Sequence, residues 1–317
     1  MSDSLSIIIC TCNRADDLRQ TLDAIGRLTI PAGYQCDLTV VDNASTDGTA
    51  DMAQSFTLPN MPLRYLLEPR RGKGYAYNAG IAASSGDILL FTDDDVRPPE
   101  GWLEGMCGPI VSGEADAVAG GLKLASHLHR PWMTKQHIGW LASTECLPPD
   151  AVIPLIGANM AFSRRVLERV PGFDIELGPG AKGHADDTLY SYQLEKAGYR
   201  HAMALGTTAE HHLQASRLSR KSYAAQARKR GEFNAYLARH WSHSGPRYPL
   251  ASLARAFVAL WGLRLWHFPE WVTSPTVPTW ELQRLETLHT ILCYLQERRE
   301  PRKYEKFGLV KLEQPLS

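Results

Sequence analysis

The chain has 317 residues, 44% of them apolar, with 34 basic and 34 acidic side chains. That content supports one large core, or a catalytic domain of about 200 residues with an extension of about 100, and excludes a fibrous or disordered chain. The even charge excludes a global field that draws in nucleic acid or an anionic surface, so any phosphate binding must be local.

Chain order gives the architecture. No basic n-region, long apolar core or cleavage site opens the chain, so a signal peptide is not expected and the cytoplasm is the expected compartment. Leu5 to Cys10 reads as a buried strand, Ala15 to Leu28 as a helix with Leu18, Leu22, Ile25 and Leu28 on one face, and Leu38 to Val41 as a second strand. Residues 47–56 read as a helix, 63–67 as a strand, 73–84 as a helix and 88–92 as a buried strand. This alternation is the pattern of a parallel sheet flanked by helices, in which ligands collect at the carboxyl ends of the strands. Positions just past Cys10, Val41 and Thr92 are therefore expected to share one crevice. A mixed segment follows, then a helix over 187–197 stopped by Gly198. Beyond Leu213 the chain turns helical and basic, which sets a boundary near 215. The six cysteines are scattered without a CxxC pair, so neither a zinc site nor a disulfide framework is expected.

The sharpest chemical signal is Asp93-Asp94-Asp95 at the end of a buried strand. Three adjacent carboxylates repel unless a cation or buried donors compensate, and a hard divalent ion such as Mg²⁺ or Mn²⁺ can bridge such acids to a diphosphate. The competing reading is a solvated acidic turn. Asp42 stands at another strand end, where a carboxylate can accept from a base N–H or a ribose hydroxyl, while Ser45, Thr46 and Asp47 read as helix caps. Lys73 lies between Gly72 and Gly74 at a helix start, with Arg71 beside it; either could face a nucleotide, although this is no Walker A sequence. Asp186 and Asp187 open a helix, as capping residues or as a catalytic base. In Glu210-His211-His212, adjacent imidazoles on an extended segment point to opposite faces, so at most one completes a metal shell, with His211 preferred.

Taken in order, SIIICTCNRADDL, VVDNASTDGT, GKGYAYNAGIAASSGDILLFTDDD, GANMAFSRRVL, GFDIELGPG, ADDTLYSYQLEKAGYR and AEHH resemble the successive blocks of family 2 glycosyltransferases over roughly residues 5 to 215. The resemblance implies a GT-A fold, a Rossmann-like mixed sheet flanked by helices, with residues 1–100 as the nucleotide-binding half, 101–215 as the acceptor half and 216–317 as a mainly helical extension. It implies an inverting transfer from a nucleotide diphosphate sugar, with UDP favoured, to a glycan, lipid-linked or small-molecule hydroxyl, aided by Mg²⁺ or Mn²⁺. Carried over, Thr11, Asn13 and Arg14 line the base pocket and Asp42 receives the base imide. Lys73 approaches the nucleotide, Asp93 the ribose or the metal, and Asp95, alone or together with Asp94, the metal on the diphosphate. His211 or His212 completes the metal shell. Asp187 matches the family's base, and Asp186, standing where a glutamate is usual, is the reserve. A nucleotidyltransferase and a non-catalytic sugar-binding module are the competing classes.

The extension is tryptophan-rich. Its most apolar stretch, Ala251 to Phe268, is interrupted by Arg255 and Arg264 and is too broken to span a bilayer. Packing against the catalytic domain or a second subunit is the plainer expectation for it, and lying at a membrane interface is the alternative.

Overall fold

The computed structural model describes residues 4 to 313. It opens with the alternation β1 (Ser4–Thr11), α1 (Ala15–Ile25), β2 (Gln35–Asp42), α2 (Thr49–Ser55), β3 (Leu63–Leu67), α3 (Lys73–Ala83) and β4 (Ile88–Asp93). There follow β5 (Val96–Arg97), α4 (Trp102–Val111), β6 (Ala117–Leu124), α5 (Lys135–Trp140), β7 (Asn159–Ser163), α6 (Asp186–Lys196) and β8 (His201–His211). Among the described residues four α-helices follow: α7 (Arg220–Tyr236), α8 (Pro249–Trp266), α9 (Phe268–Thr273) and α10 (Thr279–Glu297).

The eight strands form one sheet in the order β3-β2-β1-β4-β7-β6-β8-β5. β3, β2, β1 and β4 are parallel, as the helical crossovers between them require. β7 enters antiparallel between β4 and β6 and makes the sheet mixed. Ile7, Ile9, Leu38, Val40 and Leu90 are fully buried against Leu18, Leu22 and Trp102. An aromatic cluster joins α3, β4, β7 and α6: Tyr77 meets Phe91 edge-on with centroids 5.0 Å apart, and Phe173 stacks on Tyr190 at 4.2 Å. Such pairs fix ring orientation beyond what area burial alone provides, and they hold the floor beneath the acidic residues.

Contacts divide the chain into two compact units. One takes the chain up to His129 together with Leu141–Ala181 and Asp186–Leu213, and so holds the whole sheet. The other takes Arg130–Trp140, Lys182–Ala185 and the chain from Gln214 onward, built on α7, α8 and α10. No simple cut in the sequence describes this division, because two short segments leave the first unit to join the second. All six cysteines are free thiols.

Candidate active site

Register brings the predicted strand ends to one edge. Thr11 pairs with Asp42 across β1 and β2, and Cys10 pairs with Asp93 across β1 and β4. Parallel strands of matched length therefore deliver Thr11, Asp42 and the Asp93–Asp95 turn side by side.

The three acids are compensated separately. Lys73 Nζ lies 2.6 Å from Asp93 Oδ1. Arg14 bridges the other two, with Nη1 at 2.7 Å from both Asp94 Oδ1 and Asp95 Oδ2. Thr11 Oγ1 donates to Asp94 Oδ2 at 2.8 Å, and Thr21 Oγ1 donates to the Asp94 carbonyl at 2.7 Å. Burial pushes Asp94 up to about 7, held back by Arg14 and helped by the Asp95 charge. Burial also works to raise Asp95, but the hydrogen bond and charge of His211, followed by Arg14, outweigh it and hold Asp95 below the usual carboxylate range. The Thr11 hydroxyl and the Arg14 guanidinium are thus committed to the acids, a use the base-pocket assignment does not foresee.

β5 carries His211 to Asp95, since Val96 pairs with His211. His211 Nε2 stands 3.3 Å from Asp95 Oδ1, and Nδ1 lies 3.2 Å from the Leu141 carbonyl. A carbonyl only accepts, so Nδ1 carries a hydrogen, and Nε2, the atom that faces the carboxylate, is left either to hold the ring's second proton or to ligate a cation. Two facing electron-pair donors need a proton or a metal ion between them, and a backbone carbonyl behind the ring is the usual support for a ligating histidine. These residues fit a hard divalent cation. Among the described residues no three His, Cys, Asp or Glu side chains gather into a metal-holding group, so a cation here would complete its shell from diphosphate and water, as Mg²⁺ commonly does. His212 faces elsewhere, its Nε2 2.9 Å from Glu210 Oε2.

Around the neighbouring strand end, Asp42 is 1% exposed and accepts from the Ser45 N–H and the Tyr65 hydroxyl, each at 2.9 Å. Asn13, at φ 55°, accepts from the Thr46 N–H at 2.7 Å and donates its own N–H to Ser45 Oγ at 2.9 Å. Ser45 and Thr46 therefore tie down the β1–α1 turn and do not cap α2, which is the correction to their reading as caps. Asp47 does serve the helix start, with Oδ1 accepting from the Thr49 N–H at 3.0 Å. Arg71 is exposed, and its guanidinium reaches the Ala44 carbonyl at 3.4 Å. Gly74 has to be glycine: a Cβ there would lie 2.8 Å from the Asp174 carbonyl oxygen, so its absence lets α3 start against that loop and seat Lys73. Burial disfavours the Lys73 ammonium, but Asp93, with Tyr77 and Asp186 behind it, outweighs burial and raises its pKa.

Asp186 and Asp187 occupy the first turn of α6. Asp187 is half-buried; Oδ2 accepts from the Gly157 N–H and Oδ1 from the Thr188 N–H, both at 2.7 Å. Burial raises its pKa; the Gly157 hydrogen bond and Lys73 lower it, and Asp93 adds to the rise. Asp187 therefore lies within electrostatic reach of the Lys73–Asp93 pair. Asp186 is 4% exposed, its Oδ2 lacks a hydrogen-bond partner, and burial followed by the Asp187 charge pushes it up to about 7. One acid is thus oriented by backbone donors, while its neighbour is boxed in.

The family model for Glycosyl transferase family 2 matches residues 6–170. The chain belongs to that family. Glycosyltransferase AglE of Haloferax volcanii is 36% identical over 120 residues, 38% of this chain and 39% of the relative. An uncharacterised glycosyltransferase of Mycobacterium bovis is 30% identical over 181 residues, 55% of this chain and 77% of the relative. The chain thus spans well under half the length of the first relative and about three quarters of the second. Mannosyltransferase PcManGT of Pyrobaculum calidifontis, solved with GDP-mannose and Mn²⁺, superposes over 94% of this chain and 88% of its own with a TM-score of 0.62 at 21% identity. S. aureus TarS 1-349 with UDP-GlcNAc superposes over 93% and 92% with a TM-score of 0.52 at 15% identity. These likenesses establish a GT-A fold for the sheet.

Some residues around this candidate site escape sequence reasoning. Asn159 is fully buried, accepts from Trp102 Nε1 at 2.8 Å and donates to the Gly121 carbonyl at 2.7 Å, tying α4, β6 and β7 behind the acids. Tyr77 donates to the Gly157 carbonyl at 3.2 Å, so the residue whose N–H orients Asp187 is itself held from α3. The GAN block marks Asn159 only through the resemblance; nothing local marks Tyr77.

Proposed function

We propose that this glycosyltransferase moves a sugar from a nucleoside diphosphate, with uridine the first base to test, to an acceptor hydroxyl by one displacement that inverts the anomeric carbon. The supporting observation is the pairing of an oriented, half-buried Asp187 with the Lys73–Asp93 pair at the sheet edge. Asp187 is the general base: its remaining lone pairs accept the acceptor proton as oxygen attacks C1, and its raised pKa suits it to hold that proton. Asp186 is the reserve base and, being boxed in, the weaker candidate.

Lys73 offers positive charge where the diphosphate leaves. Asp42 retains lone pairs for a base imide or ribose hydroxyl, and the Asn13 turn borders that end of the crevice. Thr11 and Arg14 act one step back, by holding Asp94 and Asp95 in place. Asp95 and His211, with Asp93 as the donor-side acid, would hold a divalent ion, Mg²⁺ or Mn²⁺, which would supply counter-charge to the diphosphate. In this reading residues 1–100 bind the nucleotide, 101–215 receive the acceptor, and the chain acts in the cytoplasm.

Product analysis by NMR with a panel of nucleotide sugars tests the proposal. A released nucleoside diphosphate and an inverted anomer are expected. Retention overturns the single displacement, released pyrophosphate makes the chain a nucleotidyltransferase, and donor binding without turnover under any metal makes it a binding module. Replacement of His211 by alanine is expected to weaken the response of activity to added Mn²⁺.

A further inference from the structure

α8 carries an apolar stripe that the chemistry leaves unused. Leu250, Phe257, Val258, Trp261, Leu265 and Trp266 are all exposed, Leu265 at 74% and Trp266 at 82%. Their spacing places them along one flank of the helix for more than four turns. The opposite flank, through Ala256 and Leu260, is buried. Phe268 and Val272 extend the exposed surface onto α9. Soluble monomers seldom expose apolar surface so continuously. None of the described helices is long and apolar enough to cross a membrane.

Charge selects the occupant. α8 contains no acidic residue, and its exposed charge is Arg255, with Arg247 just ahead of the helix; the one acid of α9, Glu270, lies 3.3 Å from His267 Nδ1 and accepts from Trp280 Nε1 at 3.2 Å. Beside the stripe lies a cavity of about 390 Å³ lined by Arg220, Arg264, Trp271, Val272 and Glu281. Two guanidiniums there share one carboxylate: Arg220 Nη2 lies 3.1 Å from Glu281 Oε2 and Arg264 Nε 2.8 Å from Glu281 Oε1. Two cations against one anion leave a net positive charge. A second copy docked through α8 would offer no acid on that helix to meet Arg255 or Arg247. An anionic bilayer supplies both the apolar layer and the counter-charge, and aromatic side chains at this depth match the lipid headgroup level.

We propose that α8 and α9 form an in-plane docking surface for anionic lipid bilayers, with Trp261, Leu265, Trp266 and Phe268 entering the headgroup layer and Arg247 and Arg255 meeting lipid phosphates. The inference stands independently of the proposed transfer chemistry. It is tested by sedimenting the full chain with vesicles of phosphatidylcholine alone and of phosphatidylcholine mixed with phosphatidylglycerol, alongside sedimentation velocity without lipid. Binding to the mixed vesicles, weakened by salt and accompanied by a blue shift of tryptophan emission, is the expected result. The double variant Leu265→Ser with Trp266→Ser is expected to bind on the order of tenfold more weakly or worse, with an unchanged circular dichroism spectrum and melting temperature because both side chains are already exposed. Arg255→Glu is expected to weaken binding to the mixed vesicles alone. Failure of the parent chain to bind mixed vesicles, or equal binding by the double variant, overturns the proposal. So does a lipid-free dimer that the double variant dissociates, which would give the stripe to a second copy.

Discussion

At the carboxyl edge of the sheet, Asp93, Asp94 and Asp95 meet Lys73, Arg14 and His211 within 2.6 to 3.3 Å, whereas on α8 Leu265 and Trp266 stand largely in solvent. The difference is one of energetic scale. An uncompensated buried charge costs several kcal/mol, so the fold neutralises each acid from within its own unit. An exposed apolar side chain costs far less, so a helix can carry a row of them until a partner covers it. The first region shows what folding demands, and the second shows surface that folding does not demand.

Several changes would break or sharpen that contrast. Asp187→Asn should have the largest effect, lowering turnover by about 10² to 10⁴-fold while leaving donor affinity nearly unchanged; equal losses in a kinetic assay and a donor-binding assay would remove Asp187 from the base role. Arg14→Met strips the shared cation from two buried carboxylates and should cost about 3 to 5 kcal/mol in denaturant unfolding, with part of the loss recovered when Asp94→Asn is added. Asn159→Ala leaves the buried Trp102 indole N–H and the Gly121 carbonyl without their partner and should cost about 1 to 3 kcal/mol.

Asp186 makes a smaller, pH-dependent contribution. Its folded pKa, pushed up to about 7, lies above the ordinary aspartate value of about 3.9. The folded state therefore holds the extra proton. The associated stability is complete below about pH 4 and is lost as pH rises through about 7. In ligand-free protein, Asp186→Asn should flatten the fall in melting temperature across that interval, and an unaltered pH profile would count against the buried, raised carboxyl. Smallest of all, Leu265→Ser with Trp266→Ser should stay within about 0.5 kcal/mol of the parent in lipid-free unfolding; a larger loss would mean that α8 is covered after all.

Much of this was legible in the sequence. The period of apolar residues located β1 to β4 and α1 to α3 within a few residues, because parallel strands buried on both faces, as β1, β2 and β4 largely are, can hardly be written otherwise, while β3 is the partly exposed edge. Adjacent like charges after β4 announced a site, since such a run needs compensation wherever it lies. The source of that compensation was not legible. Arg14 lies 80 positions from Asp94, and His211 meets Asp95 because the two residues of β5 pair with the end of β8. Strand alternation allowed at most one of His211 and His212 to ligate, and the partner of either needed the sheet. Likewise the backbone N–H of Gly157 that orients Asp187, and the Tyr77 hydroxyl that holds Gly157, belong to segments with no local mark. Periodicity and charge are properties of neighbours in the chain, so the sequence by itself determined the strands, the helices and the presence of an acidic site. Which cation faces which acid, which carboxylate is oriented and which flank of α8 remains bare depend on contacts between distant segments, and only the tertiary structure decided them.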